Sequence, residues 1–409
     1  MNLRDNIYEG IRALHPWDGV LLEQLARQAT GLDALSNAGG AHALSRELEE
    51  SFQNMVVDYV GKALGELKCS KTLFINERIL VNTFGTRDGY LVDVAVVDPD
   101  DFSVSQPPTW ALLSCGYKAH MVGADKVVLV LLDRNTQNWA FFKVRGDFTA
   151  GTQKFRQYVS AYAGSGTCPT SRLSTAPKVL SHPSPLLEGD VSGYLWKLNS
   201  KPSNRRTKVI HPSEFSLQKC ERSVAYGILG IAERPRIGAR LRRIFDAGHI
   251  CHDILQGALG AAIPGFRAEV PAQHEKLNIF GHCDGVFPEV AEGEDGLEIK
   301  SISDGGFAKL TKPKPDHERQ AILYGSLIGL KGIHYVYINK RTTELRTFYV
   351  EIDRKKWHKE AARAERLNTL VNSGDLPPHI SGDGTCRECK FAWTCRPELV
   401  GNIRRTLLR

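Results

Sequence analysis

The sequence predicts a mixed α/β protein of two modules built on one plan, each a central mixed sheet flanked by helices. Three observations predict it. The chain has 409 residues, more than one hydrophobic core usually organises. Short strings in its first half return in the same order in its second half. Between them runs a stretch rich in Ser, Thr, Pro and Gly, GSGTCPTSRLSTAPKVLSHPSP at 164–185, followed by the basic KPSNRRTK, a composition that reads as a connector.

The repeat supplies the elements. In the first half DYVGKALG (58–65) precedes NTFGTRDG (82–89) and VVLVLLDRNTQNWAFFKV (127–144). In the second, DILQGALG (253–260) precedes NIFGHCDG (278–285) and IHYVYINKRTTELRTFYV (333–350). Each set reads as an amphipathic helix, a strand running into an Asp-Gly turn, and a later strand hairpin. From the ALG triplet to the NxFGxxDG string the copies differ in length by one residue. The expected boundaries are a first domain at 1–163, a linker at 164–210 and a second domain at 211–409.

Composition excludes some classes. With 42% hydrophobic and 24% charged residues the chain is neither disordered nor membrane-like. Its start, MNLRDNIYEGIRALHPWDG, carries acidic residues and no sustained apolar run, and no later stretch approaches the roughly 18 apolar residues of a spanning helix. The expectation is a cytoplasmic protein, in the host cytoplasm if the chain is viral, with no membrane partner. Nine cysteines are then thiols or metal ligands rather than a disulfide framework. Residues 1–200 carry 19 Lys and Arg against 21 Asp and Glu, and residues 201–409 carry 34 against 25, so the halves stand at −2 and +9. A basic second half suits a polyanion, although a solvated basic surface would look the same.

The second half also holds the chemistry. Asp284 lies near the end of the strand-like LNIFGHCDGVF, and LEIKSIS follows with Glu298 and Lys300. Residues i and i+2 of a strand share a face, so Glu298 and Lys300 project together and Asp284 from a neighbouring strand completes the cluster. Carboxylates are hard ligands for Mg²⁺ or Mn²⁺, and a lysine beside them can orient an attacking water. His252, in GHICHDILQGALG, sits on an expected helix four residues after Gly248, where a neutral imidazole can join a metal shell. Gln320 and Tyr324, in HERQAILYGSLIGL, are i and i+4 on one helix face, placed to contact a substrate strand or to support the lysine. Each feature alone is more often a polar surface, a structural helix residue or a solvent-facing hairpin.

Their order is more telling. GxxxH, Asp, Glu-x-Lys and QxxxY in succession, followed by HYVYINK with Lys340 at its end, resemble the RecB-like branch of the PD-(D/E)xK nucleases over about residues 211–396. The resemblance implies two restriction-endonuclease-like modules, the second with Asp284 and Glu298 as metal ligands assisted by His252, and with Lys300, Gln320 and Tyr324 as catalytic or positioning residues. Members such as the AddB-type subunits and the CRISPR-adaptation exonucleases have one cysteine before these motifs and three after. Here Cys220 lies in the family's opening helix, HPSEFSLQKCERSVAYGILG, and Cys386, Cys389 and Cys395 follow as C-x2-C-x5-C. The resemblance thus implies a four-iron, four-sulfur cluster (4Fe–4S) on these four thiolates. Zinc is the alternative, but its four-cysteine sites usually pair two short knuckles. Cys69, Cys115, Cys168, Cys251 and Cys283 have no ligand-like spacing and read as small buried hydrophobes.

The implied activity is metal-dependent DNA exonuclease cleavage, from single-stranded ends, in recombination, repair or processing. An endonuclease of the same fold and an inactive DNA-binding scaffold are the alternatives. No GxxxxGK[ST] loop is present, so unwinding would fall to a helicase or recombination partner. In the first copy Val57 stands for His252 and Asp88 for Asp284, Ser114 and Lys118 take the Gln and Tyr places, and no Glu-x-Lys follows. It is expected to be a degenerate nuclease-like domain that helps hold DNA or a partner, with an unrelated α/β domain as the alternative.

Overall fold

The computed structural model describes residues 35–64, 68–75, 79–85, 91–146, 179–199, 206–215, 220–231, 238–288, 293–379 and 389–396, together with Leu3, Asn6, Ile7, Phe148 and Cys386. The first module runs α1 (Leu35–Leu64), β1 (Lys68–Ile75), β2 (Ile79–Gly85), β3 (Leu91–Val97), α2 (Thr109–Val122), β4 (Lys126–Asp133) and β5 (Trp139–Gly146). Next come β6 (Val179–Pro183) and α3 (Pro185–Asn199). The second module follows as α4 (Glu221–Ile228), α5 (Ala239–Ala262), β7 (Arg267–His274), β8 (Ile279–Val286), β9 (Asp295–Ile302), α6 (Asp304–Ala308), α7 (Pro315–Ile328), β10 (Gly332–Asn339), β11 (Leu345–Glu351), α8 (Arg354–Asn372) and α9 (Ala392–Cys395).

The sheets share one topology. The first is ordered β1-β2-β3-β4-β5-β6 and the second β7-β8-β9-β10-β11 when written from its other edge. In both, only the third and fourth strands are parallel, and the rest pair antiparallel. That parallel pair needs a crossover, supplied by α2 in one copy and α7 in the other. Gly123 and Gly329 close these helices in the left-handed conformation that spares glycine a Cβ clash. Gln137 and Thr343, also 206 residues apart, take φ of 59° and 60° in the following hairpin turns.

Five layers result. One cluster of buried side chains joins Val94 of β3 and Val130 of β4, through Phe52 of α1, Leu195 of α3 and Leu255 of α5, to Ile299 of β9 and Val336 of β10. The two sheets therefore bury their inner faces against one helical layer. Outside the first sheet, Ala111 and Cys115 of α2 pack on Leu129 and Leu131. Outside the second, Ala321 and Tyr324 of α7 pack on Tyr335 and Tyr337. β4, buried along nearly its whole length, is the continuous apolar run that a strand covered on both faces needs.

Two expectations change. Residues 179–199 lie within the expected linker but form β6, which pairs with β5, and α3, whose Val191 and Leu195 enter the shared core. Ser, Pro and Gly near this segment signalled a connector, but VLSHP can still complete a sheet edge. In the second copy the Asp-Gly pair is not a turn either. β8 continues through Asp284 and Gly285 to Val286, which pairs with Gly296. A Cβ at Gly285 would stand 2.5 Å from the Phe266 ring, so the glycine serves close packing.

Candidate active site

The site opens where two strands part. β8 and β9 are paired only at Gly285↔Leu297 and Val286↔Gly296. Beyond that point Ile299 N–H donates to Asp284 Oδ2 at 2.6 Å, so a carboxylate takes the place of a ladder partner. Leu297 and Ile299 enter the inner core, which sends Glu298 and Lys300 to the opposite face. The Lys300 ammonium pairs directly with Glu298 Oε1.

α5 brings His252 to this point, with Nδ1 3.6 Å from Asp284 Oδ2. One turn on, Gln256 Nε2 donates to the Asp284 carbonyl at 2.7 Å and to Glu269 Oε1 at 2.8 Å. Glu269 stands on β7 between the pairs Ala268↔Gly285 and Val270↔Cys283, level with Asp284, and holds a φ of 50° that a glutamate seldom adopts. His252, Glu269 and Asp284 each present a ligand atom within 4.8 Å of the others.

Burial sets the charge states. It pushes Asp284 up to about 6 against the pull of Lys300 and the Ile299 N–H. It likewise pushes Glu298 up to about 7, Lys300 opposing. Burial and the Lys300 charge drive His252 down to about 4, so its ring is neutral at pH 7 and free to ligate. Lys300 loses by burial, but Glu298 and Asp284 more than offset this and hold it charged. Glu298 is 1% exposed, and among the described residues neither carboxylate oxygen finds a hydrogen bond of ordinary geometry. A buried carboxylate with so little compensation is costly, and a hard cation would satisfy it. Carboxylates with one neutral imidazole are the donors that Mg²⁺ or Mn²⁺ accepts.

On α7, Gln320 Nε2 donates to Tyr324 Oη at 3.4 Å. Tyr324 packs over β8, where a Cβ on Gly281 would lie 2.7 Å from its ring. Three residues before Gln320, on the same face, His317 Nδ1 lies 2.9 Å from Tyr337 Oη. Burial, Lys300 and Lys314 hold His317 down to about 4, within the reach of the Lys300 charge.

Thus His252, Asp284, Glu298 and Lys300 converge, and Gln320 and Tyr324 bond to each other on the helix above. The sequence reading missed Gln256, Glu269 and His317. Gln256 was findable as i+4 from His252 on one helix face, and His317 as i−3 from Gln320. Glu269 was not, because its place depends on the β7–β8 register.

The four cysteines expected as cluster ligands lie within electrostatic reach of one another around Cys386. Cys220 is the N-cap residue of α4, a shorter helix than the sequence suggested. Cys389 N–H donates to the Cys386 carbonyl at 3.2 Å, and Cys395 N–H to the Phe391 carbonyl at 2.9 Å. Cys386 is pushed up by burial and then, beyond a lowering by Arg396, by Cys220, Cys389 and Cys395, so the four thiols share one neighbourhood. Cys115, Cys251 and Cys283 are buried, and burial pushes the latter two up to about 12. Cys168 lies outside the described residues, as does the side chain of Cys69.

In the first copy, the pairs Leu91↔Val127 and Gly296↔Ile333 set Asp93 level with Glu298 and Ala95 level with Lys300. Lys118 of α2, at the Tyr324 position, donates to Asp93 Oδ1 at 2.6 Å. Asp88 lies outside the described residues. By the pairs Phe84↔Val92 and Gly285↔Leu297 it is Thr83, not Asp88, that stands level with Asp284. The repeated strings are offset from the strand register by five residues.

No protein-family model and no curated protein matches the chain. Solved structures that match include the crystal structure of SSO0001, at 19% identity over 50% of this chain and 96% of that one, with a TM-score of 0.34. An alkaline exonuclease from Laribacter hongkongensis, LHK-Exo, matches at 14% identity over 41% of this chain and 90% of its own, TM-score 0.34. Its complex with dAMP matches at 13% identity over 41% and 90%, TM-score 0.33. Among the described residues no helix is long and apolar enough to cross a membrane.

Proposed function

We propose that the chain is a divalent-metal-dependent nuclease that hydrolyses DNA phosphodiester bonds, acting as an exonuclease on single-stranded ends. The observation that carries this reading is the Glu298 carboxylate, buried without ordinary hydrogen bonds and paired with Lys300, beside the His252, Glu269 and Asp284 group. His252, Glu269, Asp284 and Glu298 would hold Mg²⁺ or Mn²⁺. The ion would supply charge stabilisation at the phosphoryl oxygens and a lowered pKa for an attacking water. Lys300, held charged, donates to that water or to the phosphoryl oxygen where negative charge develops. Gln256 fixes Glu269 and the Asp284 backbone. Gln320 and Tyr324 line the helix face over the site and orient the strand.

Cys220, Cys386, Cys389 and Cys395 would hold a 4Fe–4S cluster as a clasp between the start and end of the second module, with four thiolates as donors. We assign residues 1–163 and the β6–α3 segment to a nuclease-like module without catalysis, because Ala95 and Thr83 stand where Lys300 and Asp284 stand. A helicase or recombination partner would open duplex ends.

The test is a cleavage assay on end-labelled linear strands with Mn²⁺, Mg²⁺ or chelator, for the native protein and Lys300→Ala. Metal-dependent release of nucleotides that Lys300→Ala abolishes is expected. Undiminished activity in the variant would remove the site, and cutting of closed circular single strands would make the enzyme an endonuclease.

A further inference from the structure

The connection from the third strand to the crossover helix differs sharply between the copies. In the first, residues 98–108 carry Asp98, Asp100 and Asp101 and no lysine or arginine. In the second, residues 303–314 carry Lys309, Lys312 and Lys314 against Asp304 alone. The topology places both loops at the same spot, so each copy is the other's control. The copy with the complete carboxylate and lysine set has the basic loop.

The lysine loop is braced at both ends. Arg346 lies over the Phe307 ring at 4.3 Å and donates to the carbonyls of Phe307 and Leu310. At the other end Lys314 N–H donates to Tyr337 Oη at 3.1 Å, and that hydroxyl also meets His317. Lys300 and Lys314 both act on His317, so the loop runs up to the active centre. Lys309, Lys312 and Lys314 are exposed, and among the described residues none has an ion-pair partner. The acidic loop instead engages the second module, with Arg341 3.0 Å from Asp100 and 3.8 Å from Asp98.

We propose that the 309–314 loop is the track that receives the phosphates of the DNA strand next to the scissile bond. This rests on the nuclease reading and adds the path of its substrate. Three exposed ammonium groups on a braced backbone near Lys300, without ion-pair partners among the described residues, can meet phosphates of a single strand, and the acidic counterpart would repel one. Fixing the loop at Phe307, Leu310 and Lys314 spares part of the ordering cost of binding.

The experiment is fluorescence anisotropy of a labelled single-stranded oligonucleotide in Ca²⁺ across a salt series, run beside the cleavage assay. Changing Lys309, Lys312 and Lys314 together to Ser is expected to weaken binding on the order of a hundredfold at about 0.1 M salt, and to reduce the slope of log affinity against log salt by about 2. The same three changed to Arg should keep both. A charge-matched control, Lys276, Lys355 and Lys359 to Ser, removes exposed lysines elsewhere and should weaken binding less than threefold. An unchanged slope in the loop variant, or an equal loss in the control, with cleavage by the native protein intact, overturns the track alone. A native protein that neither binds nor cuts overturns the nuclease reading and the track with it.

Discussion

Asp93 stands in the first sheet where Glu298 stands in the second, and each is neutralised by a lysine that comes from a different place. Lys300 reaches Glu298 from two residues along the same strand, whereas Lys118 reaches Asp93 from the crossover helix. Moving the ammonium onto the helix leaves Ala95 on the strand and fills the space that Tyr324 occupies in the other copy. The first site is thus closed on itself, while the second keeps an under-satisfied carboxylate.

That carboxylate makes stability depend on pH in an unusual direction. Asp284 and Glu298 have folded-state values raised to about 6 and about 7. Their contribution is therefore fully present at low pH and lost as pH rises through those values. His252, lowered to about 4, acts with the opposite sign, costing stability as pH falls from about 6.5 towards 4. Within the site, only the carboxylates still titrate above pH 6.5. We expect the melting temperature of chelated protein to fall between pH 6.5 and 8, and Mn²⁺ to reverse the fall, as read by scanning calorimetry. A fall that persists at saturating Mn²⁺ would contradict the proposed ligand set.

Gln256 should govern metal affinity without touching the metal. It holds Glu269 and the Asp284 backbone together, the kind of support whose loss costs about 10–100-fold in affinity. Gln256→Ala is expected to shift the Mn²⁺ concentration for half-maximal cleavage by that factor while leaving the rate at saturating Mn²⁺ within a few-fold. Gln256→Glu, which places a third carboxylate against Glu269, should do worse.

Much of this was legible in the sequence, and what was hidden has a physical cause. Glu298, Lys300, His252, Gln320 and Tyr324 are positioned by periodicity within one strand or helix, which a sequence displays directly. Glu269 and Asp93 owe their places to pairing between strands. At the place of Asp284 the repeated string pointed to Asp88, five residues from Thr83, because the matching letters do not follow the pairing register of β2 and β8. The β6–α3 segment escaped notice since its turn-forming flanks outweighed a five-residue edge strand. The likeness of the two copies was visible, but their shared helical core was not, because inner-face residues of both modules read simply as apolar.

Arg243 should be a keystone between the modules. It is buried, its guanidinium lies 3.6 Å from the Trp139 ring centroid, and Nε donates to the Gln137 carbonyl at 2.8 Å. Burial depresses its pKa to about 9, so the ring and the carbonyl are what keep a cation there. Arg243→Ala should cost about 2 kcal/mol in urea denaturation, combining a desolvated cation–π contact with a lost charged hydrogen bond. Arg243→Lys, which keeps the charge but not the planar fork, should recover only part. A variant as stable as the native chain would mean that the modules do not depend on this contact.

The cysteine clasp makes a separate prediction. Protein prepared without oxygen should carry about four iron per chain if Cys220, Cys386, Cys389 and Cys395 ligate a cubane cluster. Cys220→Ser should lower the iron content and the melting temperature together, whereas Cys115→Ser should leave the iron content unchanged. Stoichiometric zinc in place of iron would sink the cluster assignment and keep the clasp.

The helical layer shared by the two sheets also constrains how the chain can change over generations. A module without chemistry of its own would ordinarily be free to decay or be deleted, but here its inward face packs on the same helical layer that covers the second sheet. Deleting it would expose Leu255, Ile299 and Val336 to water. On the proposed reading the first module would persist as a scaffold, its outer loops far easier to rewrite than the face it shares.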